Sequence, residues 1–412
     1  MSVRIVFVNR YFFPDESATS QFTSDVAFDL ARAGHDVHVI ASRQVYQDPS
    51  QRLPAEETIA GVHVHRIWTT HRGRMRVRGL ALDYLTFYLS CAWRLWRLIG
   101  SDWIVVARTD PPVVSVVAWL IVRWRGATLV TWLADLFPEI ATELGLPGGT
   151  GRLGQIVRSL RNRSLAAAAT NVVLGESMRA YLVREGIPGA RIRVVRDWAD
   201  GCRIRPVPKR QNPLAIDWDL VDRFVVGYSG NMGRAHRFDT IVGAIAAMRQ
   251  RTDTRFLFIG AGVRHREIVD AVAARGLENV VFRPYQPRES LGYSLAVPDV
   301  HLISLNPNLE GFIVPSKFYS AAAAGRPAIY VGDPSGDIAE LLTTHHCGIA
   351  VREGDVDGLA AAIDRLRDDP ALYRTMADNA RRLFERAFDQ PIALAAWRDV
   401  IERIGAREGA AA

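Results

Sequence analysis

Apolar positions along this chain fall into two rhythms, short β-rich runs and longer stretches of helical spacing, and the alternation starts twice. Residues 3–9 (VRIVFVN) make a strand-like run that gives way to a loop at Pro14. Phe22, Val26 and Leu30 then recur at near-helical spacing from about Ser20 to Ala33, Gly34 stops the helix, and 36–40 begins a second strand. The theme repeats with strands at 103–107, 127–133 and 171–174, a helix after Pro111-Pro112 and another over 177–185. Such alternation predicts a mainly parallel sheet with helices on both faces. A polar, proline-rich stretch, 206–213, reads as a linker. Beyond it strands at 224–228, 255–259, 280–282, 300–304, 328–331 and 349–351 alternate with helices at 238–250 and 264–275 and later.

The fold class predicted is therefore α/β, with two Rossmann-like doubly wound parallel-sheet domains and an interdomain cleft. The expected divisions are an acceptor-binding domain at 1–205 and a donor-binding domain at 206–385. A helix at 386–412 is expected to cross back to the first domain and end in a frayed tail. Ligands of such folds bind at the C-terminal ends of the strands.

A length of 412 residues suits two domains, and 49% hydrophobic with 23% charged residues is a globular composition. A formal charge of +7 favours anionic partners. Lysine occurs only at 209 and 317, so Lys317 stands out in a chain whose default cation is arginine. The three cysteines, Cys91, Cys202 and Cys347, are too scattered for a disulfide framework or a zinc site, which fits a reducing cytoplasm. The first apolar run is too short for a signal peptide, and no stretch of 18 uncharged apolar residues occurs.

Three loops in the second half carry phosphate-binding chemistry. The first holds Gly230, Asn231, Arg234, His236 and Arg237 after a strand, where glycine permits close backbone approach and arginine can fork onto phosphate oxygens. The second, starting at Gly260, resembles a GxGxxG turn but has His265 at the third glycine position, and reads as a tight strand-to-helix turn. The third runs from Asn308 to Pro327. Ser316 stands where an N-cap belongs, and Lys317 at the first helical position places like charge on the helix's positive end, at a cost of about 0.3–1 kcal/mol unless an anion binds.

The segment Glu310-Gly311-Phe312, then Pro315-Ser316-Lys317 and Ala-Ala-Gly-Arg-Pro, resembles the donor loop of the GT-B retaining glycosyltransferases of family 4. It is most similar to their bacterial surface-polysaccharide branch (WbuB-like, fucosaminyltransferase-like). Further matches are Tyr11-Phe12-Phe13-Pro14-Asp15-Glu16, Thr109-Asp110-Pro111-Pro112, Asp135-Leu136-Phe137-Pro138-Glu139 and Asp197-Trp198-Ala199-Asp200. The resemblance implies a nucleotide-diphosphate sugar donor, a UDP-linked sugar by preference, and a glycan or polyprenyl-linked acceptor. It implies that Glu310 contacts sugar hydroxyls and that Gly311 and Phe312 offer backbone N–H groups. Lys317 and an arginine of the 234–237 loop would neutralise the leaving diphosphate, and 283–287, with Tyr285, would receive the base. The pattern departs at Ser320, where relatives carry a ribose-binding Glu, and at Asn231 and His236, which replace an Arg and a Lys. A nucleotide-sugar 2-epimerase of the same fold, or a catalytically degenerate binding subunit, is the alternative.

On the acceptor side, Asp135 and Glu139 are candidates to orient the acceptor hydroxyl, Asp135 alternatively capping the helix at Pro138, and Glu16 belongs to the same side. Ten histidines without metal spacing, and no HExxH or DxD pattern, lead to the expectation of no metal or other cofactor. Arginines and aromatics interleave over 72–98 and at Trp119, Arg123, Trp124 and Arg125, a pattern suited to peripheral contact with the anionic inner face of the cytoplasmic membrane. The positive charge follows no nucleic-acid-reading motif.

Overall fold

The computed structural model describes residues 2–46, 48, 51–72, 77–146 and 149–411. The chain divides into two compact units, one formed by 1–195 together with 394–412 and the other by 196–393.

The first unit holds strands β1 (Arg4–Val8), β2 (Asp36–Ser42), β3 (Glu56–Ile59), β4 (Val62–Ile67), β5 (Trp103–Arg108), β6 (Thr128–Leu133), β7 (Thr170–Val173) and β8 (Ile192–Val194). Their order is β3-β4-β2-β1-β5-β6-β7-β8. All neighbours are parallel except β3 and β4, which form an antiparallel hairpin. Its turn places Ala60 and Gly61 at positive φ (48° and 84°), the requirement of a tight hairpin that matches strand twist. Neither this hairpin nor β8 is among the strands predicted from the sequence. The rest of the sheet matches the expected doubly wound pattern, with fully buried runs such as Ile104–Val106 at its centre.

The second unit holds β9 (Phe224–Ser229), β10 (Thr254–Ile259), β11 (Val280–Arg283), β12 (Val300–Ser304), β13 (Ala328–Gly332) and β14 (Gly348–Arg352), in the order β11-β10-β9-β12-β13-β14. Every pairing is parallel. The chain winds outward from β9 in one direction, then returns to β12 on its other side. That reversal opens a crevice between the loops that follow β9 and β12.

The last helix, Gln390–Ala411, extends through residues expected to fray. Its Trp397 is fully buried against Trp132 of β6, with ring centroids 4.4 Å apart, and Arg398 pairs with Asp29 of the helix Ala18–Arg32. A lost buried tryptophan forfeits its transfer free energy and leaves a cavity. Trp397→Ala is expected to destabilise the first unit by about 3–5 kcal/mol in a denaturant titration. A change within about 0.5 kcal/mol would contradict this docking.

Candidate functional site

The loops after β9 and β10 approach so closely that side chains cannot intervene. A Cβ at Gly260 (φ +126°) would meet the Gly230 carbonyl oxygen at 2.4 Å. The Gly260 turn thus serves backbone packing, and Tyr285 lies over it with its ring edge 3.2 Å from that same Cβ position. The Gly260 N–H donates to the Arg283 carbonyl (3.0 Å), which ties the 283–287 segment to the turn.

The loops after β9 and β12 are sewn together across the crevice. Asn306 N–H donates to Ala235 O (2.8 Å) and Arg237 N–H to the Ser304 hydroxyl (2.9 Å). His236 is buried, with Nδ1 on the Ser304 carbonyl and Nε2 3.1 Å from the Lys317 ammonium. A carbonyl only accepts, so Nδ1 carries the imidazole proton and Nε2 accepts from Lys317. Burial, then the nearby Lys317 charge, pull the His236 pKa to about 3. His236 is therefore neutral: at the position where relatives carry a Lys, it acts as a positioning acceptor for the Lys317 ammonium.

Lys317 is aimed under the Gly230 turn. A Cβ at Gly230 (φ +116°) would lie 3.2 Å from its Cε, and Nζ sits 5.1 Å from the Tyr228 ring centroid. Burial lowers its pKa to about 8. Lys209, the other lysine, is instead paired with Asp299. Among the described residues Lys317 has no carboxylate partner. The rim of the same loop carries Asn231, Arg234 and Arg237, all exposed.

Ser316 precedes the helix Lys317–Ala323 but has helical backbone (φ −64°, ψ −13°), and its hydroxyl makes no capping bond. A side-chain cap needs extended backbone, so the predicted cap is absent. The ammonium is placed by His236 and Tyr228 instead.

Glu310 faces the other flank of this loop. Its carboxylate accepts from the Tyr330 hydroxyl of β13 (3.0 Å) and from the Asp337 N–H (3.0 Å), and burial raises its pKa above the usual carboxylate value. Gly311 is at positive φ (78°), and the Phe312 N–H, expected to face a ligand, donates to Leu309 O (3.0 Å) to close the turn. Glu310 and Lys317 thus engage opposite neighbours of β12.

In the first unit the structure separates the three acceptor-side candidates. Glu139 is buried: Arg161 grips it with two bonds (2.7 and 3.1 Å), Tyr181 donates at 2.7 Å, and Arg158 approaches to 3.3 Å. Burial pushes its pKa up, but Arg161 and Tyr181 hold it below the usual value, so it is a structural ion-pair partner rather than an acceptor-binding group. Glu16 is exposed on the loop after β1. Asp135, after β6, does not cap the helix Glu139–Glu143, whose start has no side-chain cap. Burial and then the neighbouring Asp110 push its pKa to about 6, against the pull of Arg108.

Two buried arginines at this edge escaped sequence reasoning. Arg108 lies 3.9 Å over the Trp132 ring, and Arg10 sits between the Tyr11 and Tyr84 rings with Asp83 at 3.9 Å. In a chain with 49 arginines nothing in their local sequence separates them from the solvated ones. Only their place at strand ends marks them.

Residues 18–198 match the family described as Glycosyl transferase 4-like domain, and residues 223–369 match Glycosyl transferases group 1. The chain is 24% identical over 368 residues to the probable glycosyltransferase WbjE of Pseudomonas aeruginosa, covering 88% of this chain and 89% of that one. It is 23% identical over 370 residues to WcaI of Escherichia coli K12, a glycosyl transferase named for colanic acid biosynthesis, covering 85% and 88%. The crystal structure of Anabaena Alr3699/HepE in complex with UDP-glucose superposes with a TM-score of 0.72 at 15% identity, covering 97% of this chain and 99% of that one.

The lowered Lys317 pKa gives anion binding a definite pH sign. Below about 8 the ammonium is charged; above it the charge is lost. UDP affinity measured by calorimetry is expected to fall by up to about tenfold per pH unit above that value. Lys317→Met should bind weakly with a flat profile. The same decline in both proteins would assign the effect elsewhere.

Proposed function

This chain belongs to the family 4 glycosyltransferases of the GT-B fold, in their surface-polysaccharide branch, and we propose that it moves a sugar from a nucleotide-diphosphate donor to a glycan or lipid-linked acceptor with anomeric retention. The observation that carries this reading is the Lys317 ammonium, desolvated beneath the Gly230 turn with no carboxylate among the described residues to neutralise it. A departing diphosphate supplies the missing negative charge as the glycosidic bond breaks. A preorganised cation in such a place stabilises that charge without reorganisation when it develops. Arg234 and Arg237 assist from the rim. The UDP-glucose complex of HepE supports a uridine diphosphate donor.

Glu310 is held by Tyr330 and the Asp337 N–H, and its remaining lone pairs are offered to donor-sugar hydroxyls. Asp135, with a pKa near 6, orients the acceptor hydroxyl and is ionised at neutral pH. The residues assigned here need no metal for this chemistry.

The helix Val77–Leu98 supports extending the proposal to peripheral membrane contact. Phe87, Cys91 and Leu95 are fully buried on one side, whereas Leu85, Leu89 and Trp93 are offset by two positions, about 200° round the helix, and are exposed. Leu82 and Trp96 extend the exposed stripe, and the adjoining helix Val114–Arg125 adds Leu120 and Trp124, the latter 77% exposed. Exposed Arg97, Arg123 and Arg125 flank it, with Arg97 5.7 Å from the Trp93 ring centroid and Arg125 5.5 Å from that of Trp96. Apolar aromatics edged by arginine suit insertion at an anionic headgroup surface, as access to a polyprenyl-linked acceptor on the cytoplasmic face requires. Residues 73–76, which include Arg74 and Arg76, lie outside the described residues. No helix among the described residues is long and apolar enough to cross a membrane.

Glu310→Gln and Lys317→Met are each expected to cut turnover at least about a hundredfold with unchanged thermal unfolding, in an assay of UDP release with acceptor lipid extract. Full activity in both variants would remove the donor assignment. Donor incubated alone should give no new nucleotide sugar; if one forms, the protein is an epimerase.

Binding to vesicles containing phosphatidylglycerol is expected to exceed binding to neutral vesicles, to weaken with salt, and to fall about tenfold in the Trp93→Ser, Trp124→Ser double variant. Equal sedimentation of the variant and the parent would discard the membrane surface.

A further inference from the structure

We propose that Asp36, His38 and His63 form a binding site for one zinc-class divalent cation on the first sheet, at the N-terminal end of its parallel strands. His38 and His63 are register partners on β2 and β4, and Asp36, two residues before His38, shares its face. One ligand-capable atom from each of the three lies within 4.8 Å of the others. Tetrahedral zinc with Zn–N bonds of about 2.0–2.1 Å needs ligand atoms roughly 3.3 Å apart, so binding requires the more exposed His63 and Asp36 side chains to close on His38. His63 is exposed and the Asp36 side chain is 42% exposed, so solvent can complete the coordination. Two imidazoles and a carboxylate make a donor set for zinc and its neighbours rather than for magnesium or calcium. Asp36 begins β2, at the opposite end of the sheet from the loops that carry Glu16 and Asp135.

The surrounding groups fix the protons. Thr58 is 3.2 Å from His63 Nδ1, which leaves Nε2 as that residue's ligand atom. Arg94 can only donate, and its Nη2 meets Glu56 (2.7 Å) and His65 Nδ1. The His65 proton therefore sits on Nε2 and is donated to His38 Nδ1 (2.8 Å). That in turn leaves the His38 proton on Nε2, pointing at Asp36 (3.1 Å). Trp103 closes the far side of His38, with ring centroids 4.9 Å apart.

A cation binding His38 Nε2 takes the place of this proton. The proton moves to His38 Nδ1, the His65 tautomer reverses, and His65 Nδ1–H then opposes Arg94, which must let go while keeping Glu56. Arg94 is thus a competitor of the metal, acting through His65 rather than touching the cation.

Untagged full-length protein, stripped by chelator, is titrated with Co²⁺ for visible absorption and with Zn²⁺ against a chromophoric chelator. One equivalent should bind. His63→Ala, at an exposed position, and Asp36→Asn should each weaken binding at least about tenfold, and Arg94→Met should tighten it about tenfold. No binding at millimolar metal, or one equivalent undiminished by His63→Ala, overturns the site. Unchanged affinity in Arg94→Met overturns the proton relay.

Discussion

A half-buried ammonium with no carboxylate partner among the described residues is the constraint around which the loops of the second unit are arranged. Lys317 loses hydration, and its pKa falls to about 8, yet its neighbours are a neutral imidazole and an aromatic face rather than an anion. The glycine at 230 fits this: its positive φ (+116°) strains any side chain, and a Cβ there would press on the lysine stem at 3.2 Å and shift it. So do the bonds that join the loops after β9 and β12, because they hold His236 as the acceptor that orients the ammonium.

The carboxylates show how environment divides one side-chain chemistry into several roles. Glu139 has its acceptor capacity filled by two arginines and a tyrosine. Removing one partner from such a group is costly, which suits a brace and not a ligand contact. Asp135, only four residues earlier, is half-buried near another carboxylate, which raises its pKa to about 6 and still leaves it ionised at neutral pH. Glu310 falls between the two, anchored by two donors while burial still raises its pKa.

The alternation of strand and helix was legible because buried parallel strands are near-continuous apolar runs and their helices have a different period. The Gly230 turn, the loop holding Glu310 and the lone Lys317 were legible from residue type at strand ends. The hairpin of β3 and β4 was not: Glu56 and Glu57 open a strand at the sheet edge, where polar residues obscure the strand signal. Ser316 misled because residue preference at a cap does not determine backbone conformation. His38 and His63 were read as scattered, since spacing along the chain is blind to register; only the pairing of β2 with β4 makes them neighbours. Glu139 and Asp135 look alike in sequence because neither Arg161 nor Asp110 is local to them.

The replacement of a family cation by His236 reads differently once its position is known. Two positive charges 3.1 Å apart would repel by roughly 5 kcal/mol at an effective dielectric constant of 20, so a second cation there would discharge Lys317 or displace it. A neutral ring that accepts from the ammonium removes that repulsion and fixes the charge in place. The exposed Arg234 and Arg237 supply further attraction, but water screens them, and an equal charge is worth severalfold less at the rim than at depth. The site thus concentrates its electrostatic effect on one desolvated group. On that account a neutral His236 is what lets a single lysine stay charged beneath the turn.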